Sequence, residues 1–181
     1  FDVIGLDWKP SKHTKIIQDV SKPFEVDEKI DTIIHLVAKT EQDRSSKQEY
    51  FSTNVKGTEN VLQIAKKHNS YFIYISTAAI YGSPSSPITE QTLISPNGYY
   101  GLTKWKGEQI CEKYRKDGIN IAIIRPTSIL GKKRLGIYAI IFKNLIKDTP
   151  IPILGNGENK ISLIMATHIS LRLAWHDDGW N

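Results

Sequence analysis

Cysteine occurs once in these 181 residues, at Cys111. A lone cysteine cannot close a disulfide within the chain, and such usage fits a reducing, cytoplasmic compartment. Cys111 reads as a packing residue. Long apolar runs are missing too: no stretch approaches the roughly 20 residues of a membrane helix, so no membrane role is expected. The start carries no signal-peptide pattern. It opens on Phe1 inside the apolar run "FDVIGLD", as expected of a chain cut at that end. His13, His35, His68 and His176 show no metal-ligand spacing; no metal is expected, and they read as surface or core residues. Internal repeats are absent, and only "GSPSSP" is loop-like low complexity. The net charge of +5 comes with scattered lysines (Lys12, Lys15, Lys22, Lys39, Lys66, Lys67, Lys132, Lys133) and no interleaved aromatics. Solvated faces account for them, and nucleic acid is not an expected partner.

What is present is an alternation. A hydrophobic content of 40% with 24% charged residues describes a globular chain, one domain or one domain plus a piece of another. Near-continuous Ile/Val/Tyr-rich runs at residues 2–7, 15–20, 32–37, 71–76 and 120–125 read as strands buried on both faces. Between them, "KQEYFSTNVKGTENVLQIAKKHN" carries Phe51, Val55, Val61, Leu62 and Ala65 at helical spacing. Strands alternating with helices imply an α/β fold, a doubly wound parallel sheet with helices on both faces. Ligands of such sheets sit at the carboxyl ends of the strands. Asp7, Asp19, Leu36-Val37-Ala38, Ser76-Thr77 and Pro126-Thr127 stand there.

A second helix is expected from Tyr99, after the turn signal Pro96-Asn97-Gly98 in "NGYYGLTKWKGEQ". Residues four apart share a helix face, so Lys104 serves Tyr100, while Tyr99 reaches Thr103.

The motifs "VIGLD", "IIQDV", "DTIIHLVAKT", "NVKGTENVLQIAKKHN", "FIYISTAAIYG", "YYGLTK" and "IRPTSILG" occur in an order and at separations that resemble the extended short-chain dehydrogenase/reductases. Among these they are most similar to the NAD-dependent sugar epimerase/dehydratase group, UDP-glucose 4-epimerase-like. The resemblance runs from Asp2 to Gly131 and fades after Gly157. It implies a Rossmann-like sheet that binds NAD, with Thr77, Tyr100 and Lys104 as the catalytic set. Asp7 would take the adenosine ribose hydroxyls and repel a ribose phosphate, favouring NAD over NADP. Asp19 and Val20 would flank the adenine, and Leu36, Val37 and Ala38 would wall the cofactor. Asn54 would stand near the site, Lys104 would hold the nicotinamide ribose, and Pro126 would pack by the nicotinamide. Thr77 and Thr127 would face a nucleotide-sugar substrate.

Two departures qualify this. The family's Gly-x-x-Gly-x-x-Gly loop, which sets a helix N-terminus against the pyrophosphate, is absent, and so is the strand before it. The sheet is thus expected to be truncated, its first strand missing from between the runs ending at Asp7 and Val37. Ile161 and His168 replace an arginine and an acidic residue of the family's tail, and "LGNGEN" reads as a turn. The expected division is a partial NAD-binding domain over residues 1–135 and an incomplete start of a substrate-binding region over 136–181.

On reaction type, the resemblance points to a nucleotide-sugar 4-epimerase. Dehydratases of the group carry an acidic pair after the threonine, where this chain has Ala78 and Ala79. An NAD(P)-dependent reductase or decarboxylase, or a non-catalytic binding module, remains an alternative. The chain by itself is expected to be inactive, and the whole protein leaves a homodimer open.

Overall fold

The computed structural model describes residues 2–84, 87–131, 138–151, 156 and 160–174, with the backbone alone at 172 and 174. Lys132, Lys133, Gly157, His176 and most of "LGNGEN" lie outside them. The chain forms two compact units, Phe1–Arg125 and Pro126–Asn181. That division precedes the expected boundary after residue 135.

The first unit is a Rossmann-like α/β arrangement of parallel strands. β1 (Leu6–Asp7) pairs in parallel with β2 (Ile16–Ile17). Separately, β3 (Thr32–His35), β4 (Tyr71–Ile75) and β5 (Ile121–Ile124) form a parallel sheet in the order β3-β4-β5. Among the described residues no strand joins β1 to β3, and the two do not pair with each other.

The expectation that every strand is buried on both faces holds for β4, where Phe72, Ile73, Tyr74 and Ile75 are all buried. It fails for β1, β2 and β3. A strand is enclosed when it has neighbours on both edges and layers on both faces, and among the described residues only β4 has two strand partners. On the β3 segment, Ile34 is 42% and Leu36 65% exposed. β1 and β2 are also shorter than the apolar runs that contain them. The carbonyl of Gly5 takes both Lys15 N–H (2.8 Å) and Ile16 N–H (3.1 Å), so the ladder starts at a crowded crossing.

Helices cover the sheet. α1 (Lys47–Phe51) starts at a capping box: Ser46 Oγ accepts from Glu49 N–H, and Glu49 Oε2 accepts from Ser46 N–H at 2.7 Å. One π-helical turn (Ser52–Lys56) links it to α2 (Gly57–His68), which ends on left-handed Asn69 with Lys66, Lys67 and His68 in the last turn. That basic turn suits the negative end of the helix dipole. Val61, Leu62 and Ala65 of α2 pack with Val20, Phe72, Tyr74, Cys111 and Ile121 into one core. α3 (Tyr99–Lys116) completes the layer.

In the second unit, β6 (Ser128–Leu130) pairs in parallel with β7 (Leu163–Met165), and α5 (Ala166–Ala174) follows β7 directly. α4 (Tyr138–Ile146) lies between them in sequence. Ile161 and His168 are exposed. Among the described residues no helix is long and apolar enough to cross a membrane, and no group of acidic, His and Cys side chains could hold a metal.

Candidate active site at the carboxyl ends of the strands

α3 begins where Gly98 adopts φ 125°, a backbone that side-chain-bearing residues rarely take, so the Pro96-Asn97-Gly98 signal corresponds to a real turn. Two further glycines press the helix onto the sheet. A Cβ on Gly101 would stand 2.6 Å from the Ala79 carbonyl oxygen, and one on Gly107 would stand 2.1 Å from Tyr74 Oη. Mid-helix glycine costs roughly 1 kcal/mol relative to alanine. That cost gives α3 backbone contact with the turn after β4 at one end and with β4 itself at the other.

Thr77 caps that turn (Ala78–Tyr81): its Oγ1 accepts from Ala79 N–H at 3.2 Å. The bond uses a lone pair and leaves the hydroxyl hydrogen to donate elsewhere. Tyr100 is half-buried on the face of α3 that also carries Lys104. Tyr99 belongs to a different surface. It is exposed, with its ring 6.3 Å from Tyr50 and 5.9 Å from Lys47 Nζ.

Lys104 is 1% exposed. Burial pushes its ammonium down to about 7, while Cys111 and Glu108 act in the opposite sense. Burial pushes the Cys111 thiol up to about 12, so it stays protonated and inert.

Asn54 sits in the π-helical turn, fully buried, and its side chain is committed to the protein. Oδ1 accepts from Lys39 N–H (2.7 Å); Nδ2 donates to Lys39 O (3.0 Å) and Thr103 Oγ1 (3.0 Å). It clips the loop after β3 to α3, so it shapes the site without a free hydrogen for a ligand. The side chain of Val20 is in the core, and its carbonyl accepts from Asn60 Nδ2 at 2.8 Å.

Asp7 and Asp19 are exposed at the ends of β1 and β2. Asp7 Oδ1 accepts from Lys9 N–H at 2.9 Å, leaving the other oxygen open in that contact. Asp19 Oδ1 accepts from Ser21 N–H at 2.9 Å, and Ser21 holds this carboxyl below its usual range. Leu36 is exposed, Ala38 half-buried, and Val37 packs against the core. Pro126 and Thr127 belong to the second unit, the former buried and the latter exposed.

Several residues of this region were not singled out for function by sequence. His35 is buried beside Tyr74, its ring centroid 5.8 Å from that of Tyr74 and 5.9 Å from that of Phe72. Thr58 Oγ1 donates its one hydrogen to Asn54 O (2.7 Å), so at 3.0 Å it accepts from His35 Nε2, which fixes the Nε2–H tautomer. Burial, and then Lys104, push His35 down to about 3, so the ring is neutral. The unfolded chain therefore binds a proton on His35 that the folded chain refuses. Stability is expected to fall as pH drops below about 6.5, by about 2 kcal/mol between pH 6.5 and 5 from this group. Denaturant titrations of the wild type and His35→Asn at both pH values check this: the variant should lose most of that slope. The sequence signal was a histidine inside an otherwise apolar run.

For a dinucleotide, the groups present suit its two ends: a carboxylate at β1, and a hydroxyl, phenol and amine at β4 and α3. A pyrophosphate cradle is not found among the described residues.

With this geometry in hand, comparison with known proteins is informative. The family model described as "NAD dependent epimerase/dehydratase family" matches residues 11–168, beyond the point where the motif resemblance fades. The UDP-glucose 4-epimerase of Lactobacillus helveticus is 34% identical over 148 residues, 72% of this chain and 45% of that protein. An uncharacterized UDP-glucose epimerase of Bacillus subtilis, YtcB, is 30% identical over 139 residues, 72% of this chain and 44% of its own length. The chain thus spans less than half of either relative. Among solved structures, UDP-glucuronic acid 4-epimerase from Bacillus cereus, in complex with UDP-glucuronic acid and NAD, superposes with a TM-score of 0.76 at 26% identity. That match covers 93% of this chain and 58% of that one.

Proposed function

Because the chain belongs to the NAD dependent epimerase/dehydratase family, whose cofactor is NAD, we propose that it carries the catalytic half of a nucleotide-sugar 4-epimerase. The observation that carries this reading is the pair Ala78–Ala79, which opens the turn after Thr77 and meets Gly101 of α3. Removing a hydroxyl from the sugar needs an acid and a base beside the threonine, and two methyl side chains provide neither. Inverting a carbinol carbon needs less.

Tyr100 takes the proton from the sugar hydroxyl. An ordinary phenol near 10 is a poor base at neutral pH, and the Lys104 ammonium on the same helix face favours its phenolate. Thr77 shares a hydrogen bond with the same hydroxyl during transfer. NAD, which Asp7 and Lys104 would hold by its two riboses, would supply the hydride chemistry when bound. The UDP-glucose 4-epimerases among the relatives support a UDP-sugar as substrate. The whole polypeptide as naturally expressed should convert UDP-glucose to its 4-epimer, followed by proton NMR of the products. A dehydrated 4-keto sugar, or no inversion in any UDP-hexose, would contradict the reading.

Asp7 is the proposed ribose-binding carboxylate, with Asp19 by the adenine, Leu36 and Ala38 beside the cofactor, Pro126 by the nicotinamide and Thr127 toward the sugar. The expected result is tighter binding of NAD than NADP, with the gap narrowing in Asp7→Asn, as read by calorimetry on the whole polypeptide. Equal affinities in the wild type would remove Asp7 from this role. A second reading, a binding module without turnover, is supported by the edges of β1 and β3, which have no strand joining them among the described residues.

A further inference from the structure

Lys104 is a buried amine, and the carboxylate one turn on, Glu108, is held by Arg125 rather than bonded to it. Glu108 receives Arg125 Nε at 3.0 Å on Oε1 and at 3.2 Å on Oε2, and Arg125 Nη2 at 2.7 Å on Oε2. What faces the Lys104 ammonium is the ring of Tyr74, whose centroid lies 4.1 Å from Nζ. The other ionisable groups packed here are Tyr100 and Cys111 on α3 and His35 on β3; His35 is neutral and Cys111 keeps its proton.

Tyr74 is itself held tightly. It is fully buried in β4, its hydroxyl donates to the Lys104 carbonyl at 3.3 Å, and Gly107 leaves room for that hydroxyl. His35 stacks near its ring at an interplanar angle of 27°. An aromatic face attracts a cation through its quadrupole, and the attraction grows as water is excluded.

We propose that Tyr74 is a positioning residue for Lys104, its ring face forming the seat that keeps the buried ammonium charged on the side of α3 shared with Tyr100. The seat belongs to the resting protein; its consequence for turnover rests on the function proposed above. Burial alone drives the amine toward neutrality, and a neutral amine would no longer favour the Tyr100 phenolate. The ring opposes that loss together with Glu108, whose carboxylate is already bonded to Arg125.

The test is NMR titration of the Lys104 side chain in the whole polypeptide, with lysine isotopically labelled. Tyr74→Phe keeps the face and removes only the hydroxyl, so the midpoint should stay near that of the wild type. Tyr74→Leu removes the face and should lower the midpoint by about one pH unit, a tenfold loss of proton affinity. Should Tyr74→Leu fail to fold, a tetrafluorinated phenylalanine at position 74 keeps the shape while weakening the face, and should lower the midpoint in the same direction. Equal shifts in the Phe and fluorinated variants, or no shift in either, would overturn the proposal, since a merely structural role predicts that pattern. The alkaline limb of the pH–rate profile, where the ammonium loses its proton, should move in the same order. A midpoint that moves without any change in rate would uphold the seat and count instead against the proposed role of Lys104 in turnover.

Discussion

Tyr100→Phe is expected to lower turnover of the whole enzyme by about 10²–10⁴-fold, the usual yield of a positioned acid–base group, while Tyr99→Phe leaves it nearly unchanged. The two tyrosines are neighbours in sequence, yet α3 separates them. Tyr100 shares its face with Lys104, whereas Tyr99 is exposed beside Tyr50 and Lys47. Losing the Tyr100 hydroxyl removes the proposed proton acceptor and leaves the ring, so substrate binding should change far less than the chemical step. Steady-state kinetics on both variants separates the two effects. Equal losses from both would show that the helix face has been misassigned.

Arg125→Met should cost about 3 kcal/mol of stability. Breaking a buried pair from one side leaves an unpaired charge, which ordinarily costs about 3–5 kcal/mol. Glu108 is 1% exposed while Arg125 is 26% exposed, so water reaches the guanidinium and the low end applies. Arg125 Nη1 also donates to Tyr81 Oη at 2.7 Å, and Tyr81 ends the turn that follows Thr77. The pair therefore ties β5, α3 and the turn after Thr77 together. Against a domain stability of about 5–15 kcal/mol, the loss should be plain in thermal unfolding. The double variant Arg125→Met with Glu108→Leu should recover most of it, because the stranded carboxylate is gone. A single variant within about 0.5 kcal/mol of wild type, the ordinary range of surface changes, would mean that Glu108 finds water or another partner.

Much of this protein was legible in order along the chain. Alternating apolar runs and amphipathic stretches yield the α/β class, because side-chain periodicity is a local property that survives into the fold. Gly98 before Tyr99 marks the start of α3, and the four-residue step from Tyr100 to Lys104 places both on one face; neither inference needs tertiary information. Thr77 at the end of β4 was found the same way.

Other features depend on residues far apart in sequence. Val20 follows exposed Asp19 in sequence, and only the approach of helix α2 puts its side chain in the core. Asn54 reads as a site residue, yet its donors and acceptor are used on Lys39 and Thr103, a match no local pattern reveals. The pairing of Arg125 with Glu108, and the stacking of His35, Tyr74 and Lys104 from β3, β4 and α3, arise only when those elements meet. Sequence thus determined which chemical groups stand at the strand ends and on which helix face. Packing decided which of them are buried, and burial decides charge: Lys104 and His35 are ordinary bases in an unfolded chain, and the exclusion of water pushes both toward neutrality here.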